Sequence, residues 1–292
     1  MVSFGSIKPQ MGVSTTPTLM GQMPDLEGKV VIVTGGVSGL GRGICRQFLL
    51  KNARVYMADE SQDHATVAIA EIAMETDGKY AQLLHLDLTD LGSVNESAER
   101  FLKKETSLHM LFCIADTVHS TKEKYTAQGY DIQFGANTLG HFLFIRKLYS
   151  LLISSTAAKC PTRVMWASSS VHARCTTRFN YEALKDTHAR SQKFITPQTL
   201  YESSKFAIVQ LGLHMSRMTF KEDGVVIAIL DQGIQALNSS KISKIKFVKK
   251  LSRPSEGGTF ATYLYAATHA SDEPFELQGK YLTQPSRIGE TS

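Results

Sequence analysis

The sequence predicts a doubly wound α/β domain, in which helices cover both faces of a parallel β-sheet. Short apolar runs rich in β-branched residues alternate with helical patterns along most of the 292 residues. This alternation is typical of parallel strands joined by right-handed crossovers. The length allows one large domain or two ordinary ones, because a hydrophobic core stops growing at roughly 250–300 residues. We predict a single domain.

The strands and helices follow one another in a regular order. Each predicted strand is a short apolar run next to turn residues, and each predicted helix repeats its apolar residues every three or four positions. The predicted strands are Val30–Val33, Arg54–Ala58, Ala81–Leu86, Met110–Ala115, Arg163–Ala167 and Val225–Leu230. The predicted helices are Leu40–Leu50, a stretch ending near Met74, Val94–Lys104, Gln133–Leu152 and Leu200–Thr219.

Three segments fall outside this alternation. Residues 1–27 carry Pro, Ser, Thr, Gly and Met but no continuous apolar run, so we predict a flexible tail before a domain over residues 28–292. Ala173–Pro197 is polar with little periodicity, and Asn238–Arg253 is rich in Lys and Ser with apolar residues interleaved. Long irregular insertions in a compact domain are usually functional loops or lids.

Composition and charge exclude several classes of protein. The 32 basic and 27 acidic residues give a net charge of +5, which is too mild for a dedicated nucleic-acid-binding protein. Phe142–Ile153, the most apolar stretch, contains Arg146 and Lys147 and is too short to span a bilayer. The cysteines form no CxxC pair and no metal-ligand spacing. They are Cys45, Cys113, Cys160 and Cys175. We therefore expect a soluble cytoplasmic protein without a metal, with Cys45 and Cys113 in the core.

A glycine-rich turn lies between the first strand and the first helix. Its sequence is Thr34-Gly35-Gly36-Val37-Ser38-Gly39-Leu40-Gly41. Glycines permit a tight turn and close approach of a pyrophosphate, and the helix N-terminus offers free N–H groups and positive dipole potential. The position between strand and helix supports a dinucleotide site. The alternative is a turn that only connects the two elements.

Two aspartates end the second and third strands. Asp59 lies 18 residues after Gly41, where a carboxylate accepts hydrogen bonds from the adenosine ribose and repels a 2′-phosphate. Asp87 is placed to meet the adenine. The alternative for each is a turn or cap residue. Asp59 favours NAD over NADP as the cofactor.

A tyrosine and a lysine share one face of a predicted helix. Tyr201 and Lys205 are four residues apart. A nearby ammonium group lowers the pKa of a phenol from its usual value of about 10, so Tyr201 is expected to exchange a proton with an alcohol or carbonyl oxygen. Ser169, after the Arg163–Ala167 strand, is placed to hold the same oxygen. The alternative is a structural pair, because this spacing is common by chance.

These motifs resemble those of the short-chain dehydrogenase/reductase family over about residues 28–282. Thr34-Gly35-x3-Gly39-x-Gly41 is similar to the family's cofactor turn, and Tyr201-x3-Lys205 to its active-site signature. Gln133–Phe142 resembles the retinol-dehydrogenase-like branch, and Arg163–His172 and Gly279-Lys280-Tyr281 extend the likeness. The resemblance implies a Rossmann-type domain and an NAD(P)-dependent oxidoreductase that interconverts an alcohol with a ketone or aldehyde.

The resemblance also implies roles for individual residues. Ser169 would orient the substrate oxygen and Tyr201 would donate or accept the proton. Lys205 would lower the pKa of Tyr201 and bind the nicotinamide ribose, while Asn137 would support a water-linked proton relay behind Lys205. Ser168 and Ser170 flank Ser169, whose assignment depends on the register to His172, itself interpreted as structural. The implied cofactor-binding residues are Thr34, Gly35, Ser38, Gly39, Leu40, Gly41, Asp59, Asp87, Leu88, Ala115, Asn137, Tyr201, Lys205 and Gly233.

Two segments depart from the family's pattern near the cofactor. Its Asn-Asn-Ala-Gly is here Cys113-Ile114-Ala115-Asp116, which places a side chain where glycine lets the backbone pass close to the cofactor. Its Pro-Gly turn is here Asp231-Gln232-Gly233, and Leu237 stands where a threonine is expected. We favour a working oxidoreductase. A non-redox isomerase, dehydratase or cyclase with the same groups, and a non-catalytic binding module, are the alternatives.

The remaining expectations concern the substrate and partners. Asn238–Arg253 is expected to close over a lipophilic molecule, from lipid or specialised metabolism, and Ala173–Pro197 to form another wall. The lysines of the first loop favour either a solvated face or contact with an anionic membrane surface. They are Lys241, Lys244, Lys246, Lys249 and Lys250. The resemblance implies a homodimer through the helices Gln133–Leu152 and Leu200–Thr219.

Overall fold

The strands of the protein were assigned in a computed structural model. It describes residues 23–118, 121–157, 160–175, 179–185, 187–219, 223–232, 256–268, 275–283 and 287–289. The strands are β1 (Val30–Thr34), β2 (Arg54–Asp59), β3 (Gln82–His85), β4 (Met110–Cys113), β5 (Thr162–Ser168), β6 (Val225–Asp231), β7 (Tyr281–Thr283) and β8 (Arg287–Gly289). All six predicted strands occur, with ends shifted by no more than two residues.

The strands form one sheet in the order β3-β2-β1-β4-β5-β6-β7-β8. Neighbouring strands from β3 through β7 pair in parallel, whereas β8 pairs with β7 in the antiparallel direction. The predicted doubly wound fold is confirmed. The antiparallel strand at the edge is a correction to a purely parallel sheet, and a short final hairpin is compatible with such folds.

The helices lie between the strands in sequence. They are α1 (Gly39–Leu50), α2 (Gln62–Glu75), α3 (Leu91–Lys104), α4 (His141–Ser154), α5 (Thr187–Ser191), α6 (Pro197–Met218) and α7 (Glu256–Thr268). A helical turn at Ile132–Phe134 and a π-helical segment at Gly135–Gly140 precede α4. The predicted helix around Gln133–Leu152 is therefore helical throughout, but Gly135–Gly140 is π-helical, which the sequence did not predict. Such π-helical segments often mark functional sites.

The sheet carries one apolar core on each face. Val31 and Val33 of β1 belong to a buried cluster that includes residues of α1, α2 and α7. Val30 and Ile32 belong to a second cluster with residues of α3, α4 and α6. Successive strand residues point to opposite faces, so one apolar run supplies both cores. Cys45 and Cys113 are buried, as predicted.

The first described residues are packed rather than loose. Met23 and Leu26 are each only 4% exposed, and the Leu26 N–H donates to the Lys51 carbonyl at 2.7 Å. The predicted flexible tail over residues 1–27 is therefore wrong for residues 23–27, because two apolar side chains complete the core. Residues 1–22 lie outside the described part of the chain.

The two irregular segments have different outcomes. The described part of Ala173–Pro197 contains α5, a 3₁₀ turn at Glu182–Leu184 and the end of another at Ser170–Arg174. These elements are too short to show periodicity in sequence. Ala183, Leu184, Ala189 and Ile195 of this segment form a third apolar cluster with Leu200 of α6. The expectation that this segment forms a wall of the substrate pocket stays a prediction. Asn238–Arg253 lies outside the described residues.

Helix length and the spacing of ligand-type side chains in the described residues bear on membranes and metals. None of the helices in this part of the chain combines the length and apolar character needed to cross a membrane. The same residues contain no group of three or more His, Cys, Asp or Glu side chains that could hold a metal ion.

Candidate active site

A cavity of about 680 Å³ lies at the carboxyl ends of β1, β2, β3, β4 and β6. The strand order reverses between β1 and β4, and ligands of such sheets bind at this crevice. The predicted site residues that line the cavity are Gly35, Ser38, Gly39, Leu40, Gly41, Asp59, Asp87, Leu88 and Ala115. Lining residues that were not predicted are Ala58, Glu60, Leu86, Thr89, Ile114, Asp116, Thr117, Ala136 and Gln232. Gly233 lies outside the described residues.

The glycine turn is shaped by close backbone contacts. Gly35 has a φ of +65°, and a Cβ atom there would lie 3.0 Å from the Ala115 Cα. A Cβ atom on Gly41 would lie 2.3 Å from the Gly35 carbonyl oxygen. Glycine is therefore required at both positions, because a side chain would push the turn away from the strand or from the helix. The turn leads into α1, whose first residues, Gly39, Leu40 and Gly41, line the cavity. The first N–H groups of a helix have no partner within the helix and favour an anion.

Thr34 braces the sheet beneath this turn. Its Oγ1 accepts hydrogen bonds from the Ile114 N–H (2.9 Å) and the Ala115 N–H (3.0 Å). His141 Nδ1 lies 3.0 Å from the Asn137 carbonyl, which can only accept, so Nε2 accepts the Thr34 hydroxyl hydrogen at 2.9 Å. Burial lowers the pKa of His141 to about 4, which keeps this ring neutral. The Thr34 side chain is fully buried and does not line the cavity, and its implied role in cofactor binding stays a prediction.

Carboxylates line the end of the cavity beside β2 and β3. Asp59 is partly buried, and its Oδ1 accepts from the Ser61 N–H at 3.1 Å. Asp87 Oδ1 accepts from the Thr89 N–H and hydroxyl at 2.8 and 2.7 Å, so it also serves as a turn residue. Glu60, which sequence reasoning missed, has its pKa raised by partial desolvation and by repulsion from Asp87 and Asp59. Its position next to Asp59 was the available signal.

The other end of the cavity contains Asp116, which connects three other side chains. Its Oδ2 accepts hydrogen bonds from Tyr201 Oη at 2.7 Å and from Gln232 Nε2 at 2.5 Å. Lys205 Nζ lies 2.8 Å from its Oδ1. Side-chain exposure is only 7% for Asp116 and 1% for Lys205, so water screens this ion pair weakly. Sequence reasoning noted Asp116 and Gln232 as departures but did not include them in the site.

The ionisation of Tyr201 differs from the expectation. Burial, the charge of Asp116 and the hydrogen bond to it raise the pKa of Tyr201 well above its ordinary value. Lys205 Nζ is 5.4 Å from the centre of the Tyr201 ring and pairs with Asp116 instead. The pKa of Tyr201 is thus raised overall, whereas the lowering of this pKa by Lys205 stays a prediction; the two residues do share one face of α6.

Asn137 holds the strand-end loop that carries Asp116. Its Oδ1 accepts from the Thr117 N–H at 2.7 Å, and its Nδ2 donates to the Thr117 carbonyl at 3.0 Å and to Ser204 Oγ at 3.2 Å. The Asn137 carbonyl accepts from Trp166 Nε1 at 3.4 Å, as well as from His141. Both polar ends of Asn137 thus have protein partners. Its water-linked relay stays a prediction.

Ser169 lies directly after β5 and is buried. Ser168 Oγ donates to the Lys205 carbonyl at 2.9 Å, and Ser170 is exposed, so neither neighbour replaces it as the candidate. His172 Nδ1 lies 2.7 Å from the Ser169 carbonyl, and its ring packs edge-on against Tyr281. These contacts fit a structural role for His172.

The residues present fit a nicotinamide dinucleotide. The glycine turn at the start of α1 packs closely and lines the crevice where a pyrophosphate would lie. A Cβ on Gly41 would disrupt this turn, because it would lie against the Gly35 carbonyl oxygen. The carboxylates at one end suit ribose hydroxyls. Asp116 and Gln232, beside Tyr201 and Lys205, form the other end, where the reacting ring would lie.

Comparisons with known proteins agree with this geometry. A family model described as short chain dehydrogenase matches residues 29–185. A short-chain dehydrogenase/reductase of Armillaria gallica is 37% identical over 272 residues, covering 91% of this chain and 84% of the relative. A polyprenol dehydrogenase of Danio rerio is 30% identical over 258 residues, covering 84% and 76%. The fold is similar to that of a short chain dehydrogenase from Shigella flexneri complexed with NADP, with a TM-score of 0.66, 17% identity, and coverage of 90% and 99%.

Proposed function

Because this chain belongs to the short-chain dehydrogenase/reductase family and is an NAD(P)-dependent oxidoreductase, we propose a reaction, a substrate class and a preferred cofactor for it. The reaction interconverts a secondary alcohol and a ketone, or an alcohol and an aldehyde. The substrate is a lipophilic small molecule, and NAD is the preferred cofactor. One observation carries this proposal. A single cavity joins the glycine turn and Asp59 at one end to Asp116 and Gln232, hydrogen-bonded to Tyr201, at the other.

The side chains around Tyr201 hold and move a proton. Tyr201 Oη bonds the substrate oxygen and exchanges a proton with it, while Ser169 orients the same oxygen from the end of β5. Lys205 donates to the Ala167 carbonyl at 3.3 Å and pairs with Asp116, which fixes its ammonium beside the site. A bound nicotinamide cofactor supplies or accepts the hydride. The chain's own contribution is to orient the reacting atoms and to exclude water.

The preference for NAD follows from charge at the adenosine end. Asp59, Glu60 and Asp87 line that end together. A 2′-phosphate there would meet three carboxylates, whereas ribose hydroxyls can donate hydrogen bonds to them. We expect NADH to bind at least about tenfold more tightly than NADPH, a difference of about 1.4 kcal/mol.

Fluorescence titration tests the proposal. The single tryptophan, Trp166, is buried next to Asn137 and lies three residues before Ser169. NADH and NADPH are added separately, and Trp166 quenching and sensitised cofactor emission are followed. Asp59→Ala is expected to reduce the ratio of NADH affinity to NADPH affinity. Asp63→Ala, an exposed carboxylate of α2, is the matched control and leaves it unchanged.

The titration also separates the alternative functions. Saturable binding that is tighter for NADH supports the NAD-dependent oxidoreductase. Absence of binding for both nucleotides, verified by calorimetry, contradicts the proposal and favours a non-redox reaction or a non-catalytic binding module. Equal binding of both nucleotides contradicts only the assignment of Asp59.

The substrate class, location and assembly complete the proposal. Two observations support it: a relative named polyprenol dehydrogenase, and four free cysteines, which suit a reducing compartment such as the cytoplasm. A homodimer through α4 and α6 rests on the family resemblance and is tested by sedimentation. Liposome co-sedimentation with and without anionic lipid tests membrane contact by the segment 238–253.

A further inference from the structure

The hydrogen bonds around Asp116 define where the Tyr201 hydrogen lies. Gln232 Nε2 and Lys205 Nζ can only donate, and the Asp116 carboxylate only accepts. Tyr201 Oη therefore points its hydrogen at Asp116 Oδ2 and accepts from Gln232 Nε2 at 3.2 Å. One acceptor position of the phenol oxygen remains for a substrate hydroxyl.

The position of Asp116 is fixed by its chain neighbours. On one side, the Ile114 and Ala115 N–H groups are bound by Thr34 Oγ1. On the other side, Thr117 is held at both its N–H and its carbonyl by the Asn137 side chain. A backbone anchored on both sides holds the carboxylate toward Tyr201 with little freedom to turn away.

Resting on the proposed function, we propose that Asp116 is a positioning residue that acts through Tyr201. Asp116 forms the ion pair with the Lys205 ammonium and receives the Tyr201 proton. Tyr201 therefore passes a proton between the substrate oxygen and Asp116 while it stays neutral. In a site with glycine at this position, the ammonium of Lys205 would face Tyr201 without a competing carboxylate. The relay thus replaces a phenolate base with a phenol and a carboxylate.

The relay balances as follows for oxidation of an alcohol. The substrate O–H bond breaks and its proton forms a new bond to Tyr201 Oη, while the Tyr201 O–H bond breaks and its proton passes to Asp116 Oδ2. The carbinol carbon gives its hydride to the oxidised nicotinamide cofactor, which is reduced, and the C=O double bond forms. Asp116 then releases its proton to water through the cavity that it lines. Reduction of a carbonyl uses the reverse path.

Other ionisable groups act on this cluster from neighbouring elements. Asp231 at the end of β6 also raises the pKa of Tyr201. His141 of α4 is neutral, and Tyr263 of α7 and Tyr281 of β7 have raised pKa values because they are buried. Among these described groups, Lys205 is the cation, and it pairs with Asp116. Asp116 is also the carboxylate that accepts the Tyr201 hydrogen bond directly.

Tyrosinate absorbance in the near ultraviolet, measured against pH, tests this proposal. Each protein is compared with its Tyr201→Phe counterpart, so that the difference reports Tyr201 alone. In the wild type we expect no Tyr201 signal below about pH 10. Asp116→Asn and Asp116→Gly free Lys205 to stabilise the phenolate, and we expect the signal to move at least about one pH unit lower. Asp116→Glu retains the wild-type titration, and so does Asp87→Asn, a matched carboxylate at the far end of the cavity.

Two outcomes overturn the proposal. Either Tyr201 of the wild type ionises near neutral pH, or the wild type and Asp116→Asn titrate together, which would mean that burial alone holds the proton. NADH binding, followed by Trp166 quenching on the same samples, keeps this test separate from the proposed function. A wild type that does not bind NADH contradicts the proposed function, whereas a wild type that binds NADH with an unmoved titration contradicts only the role of Asp116.

Discussion

Replacement of Thr34 by valine tests how the sheet is braced beneath the cofactor turn. The substitution keeps the shape of the side chain but removes Oγ1, and with it the partner of the Ile114 N–H, the Ala115 N–H and His141 Nε2. A buried polar group without a partner costs about 1–3 kcal/mol. Three such groups at the low end of this range predict a loss of about 3 kcal/mol in the free energy of unfolding.

Urea unfolding of the apo-protein measures this loss, and Thr34→Ser is the control. Serine retains the hydroxyl and removes one methyl group, so we expect a loss of about 1 kcal/mol. NADH binding gives a second readout, because Ala115 packs against Gly35 of the turn and shifts with the backbone that Thr34 holds. A valine variant that is no less stable than the serine variant would refute the bracing role.

Two further perturbations follow from the same region. Gly41→Ala places a Cβ 2.3 Å from the Gly35 carbonyl oxygen, so we expect loss of saturable NADH binding in the Trp166 assay while the far-ultraviolet circular dichroism is retained; normal binding would contradict the packing described for the turn. His141 has a pKa of about 4 in the folded protein, below its unfolded value of about 6.5, so only the unfolded chain gains this proton as the pH falls through that interval. Stability contributed by the neutral ring is present above about pH 6.5 and is lost by about 1 kcal/mol per pH unit between about pH 6.5 and pH 4. Urea unfolding at several pH values checks this, and His141→Gln is expected to flatten the slope.

The order of strands and helices could be predicted from local patterns, but several details could not. The strands β1 to β6 carry short apolar runs that are visible in the sequence. The π-helical segment Gly135–Gly140 is different, because Gly135 and Gly140 are set by close approach to Thr126 and to Leu88. Helix α7 begins with Glu256 and two glycines, which are poor helix formers, and packing rather than propensity keeps it helical.

The candidate site also contains residues that the sequence predicts and residues that only the fold identifies. The glycine turn, Asp59, Tyr201 and Lys205 form motifs with fixed spacing and were predicted. The contact between Tyr201 and Asp116 joins residues 85 positions apart, so only the strand order brings them together. The acidic residue that replaces a glycine after β4 was the available signal for this contact. Its partners can be identified only from the fold. The retinol-dehydrogenase-like branch stays a prediction.

The third apolar cluster has a consequence for how this enzyme changes over evolutionary time. Ala183, Leu184, Ala189, Ile195 and Leu200 pack among themselves, apart from the clusters on the two sheet faces. Substitutions at distant sites without shared partners combine additively, so changes at Ala183, Leu184, Ala189 and Ile195 are expected to leave the glycine turn undisturbed. Leu200 precedes Tyr201 in the same helix and links the cluster to the chemistry. Substitutions in this cluster can therefore change the expected substrate wall while the glycine turn, Tyr201 and Lys205 stay the same.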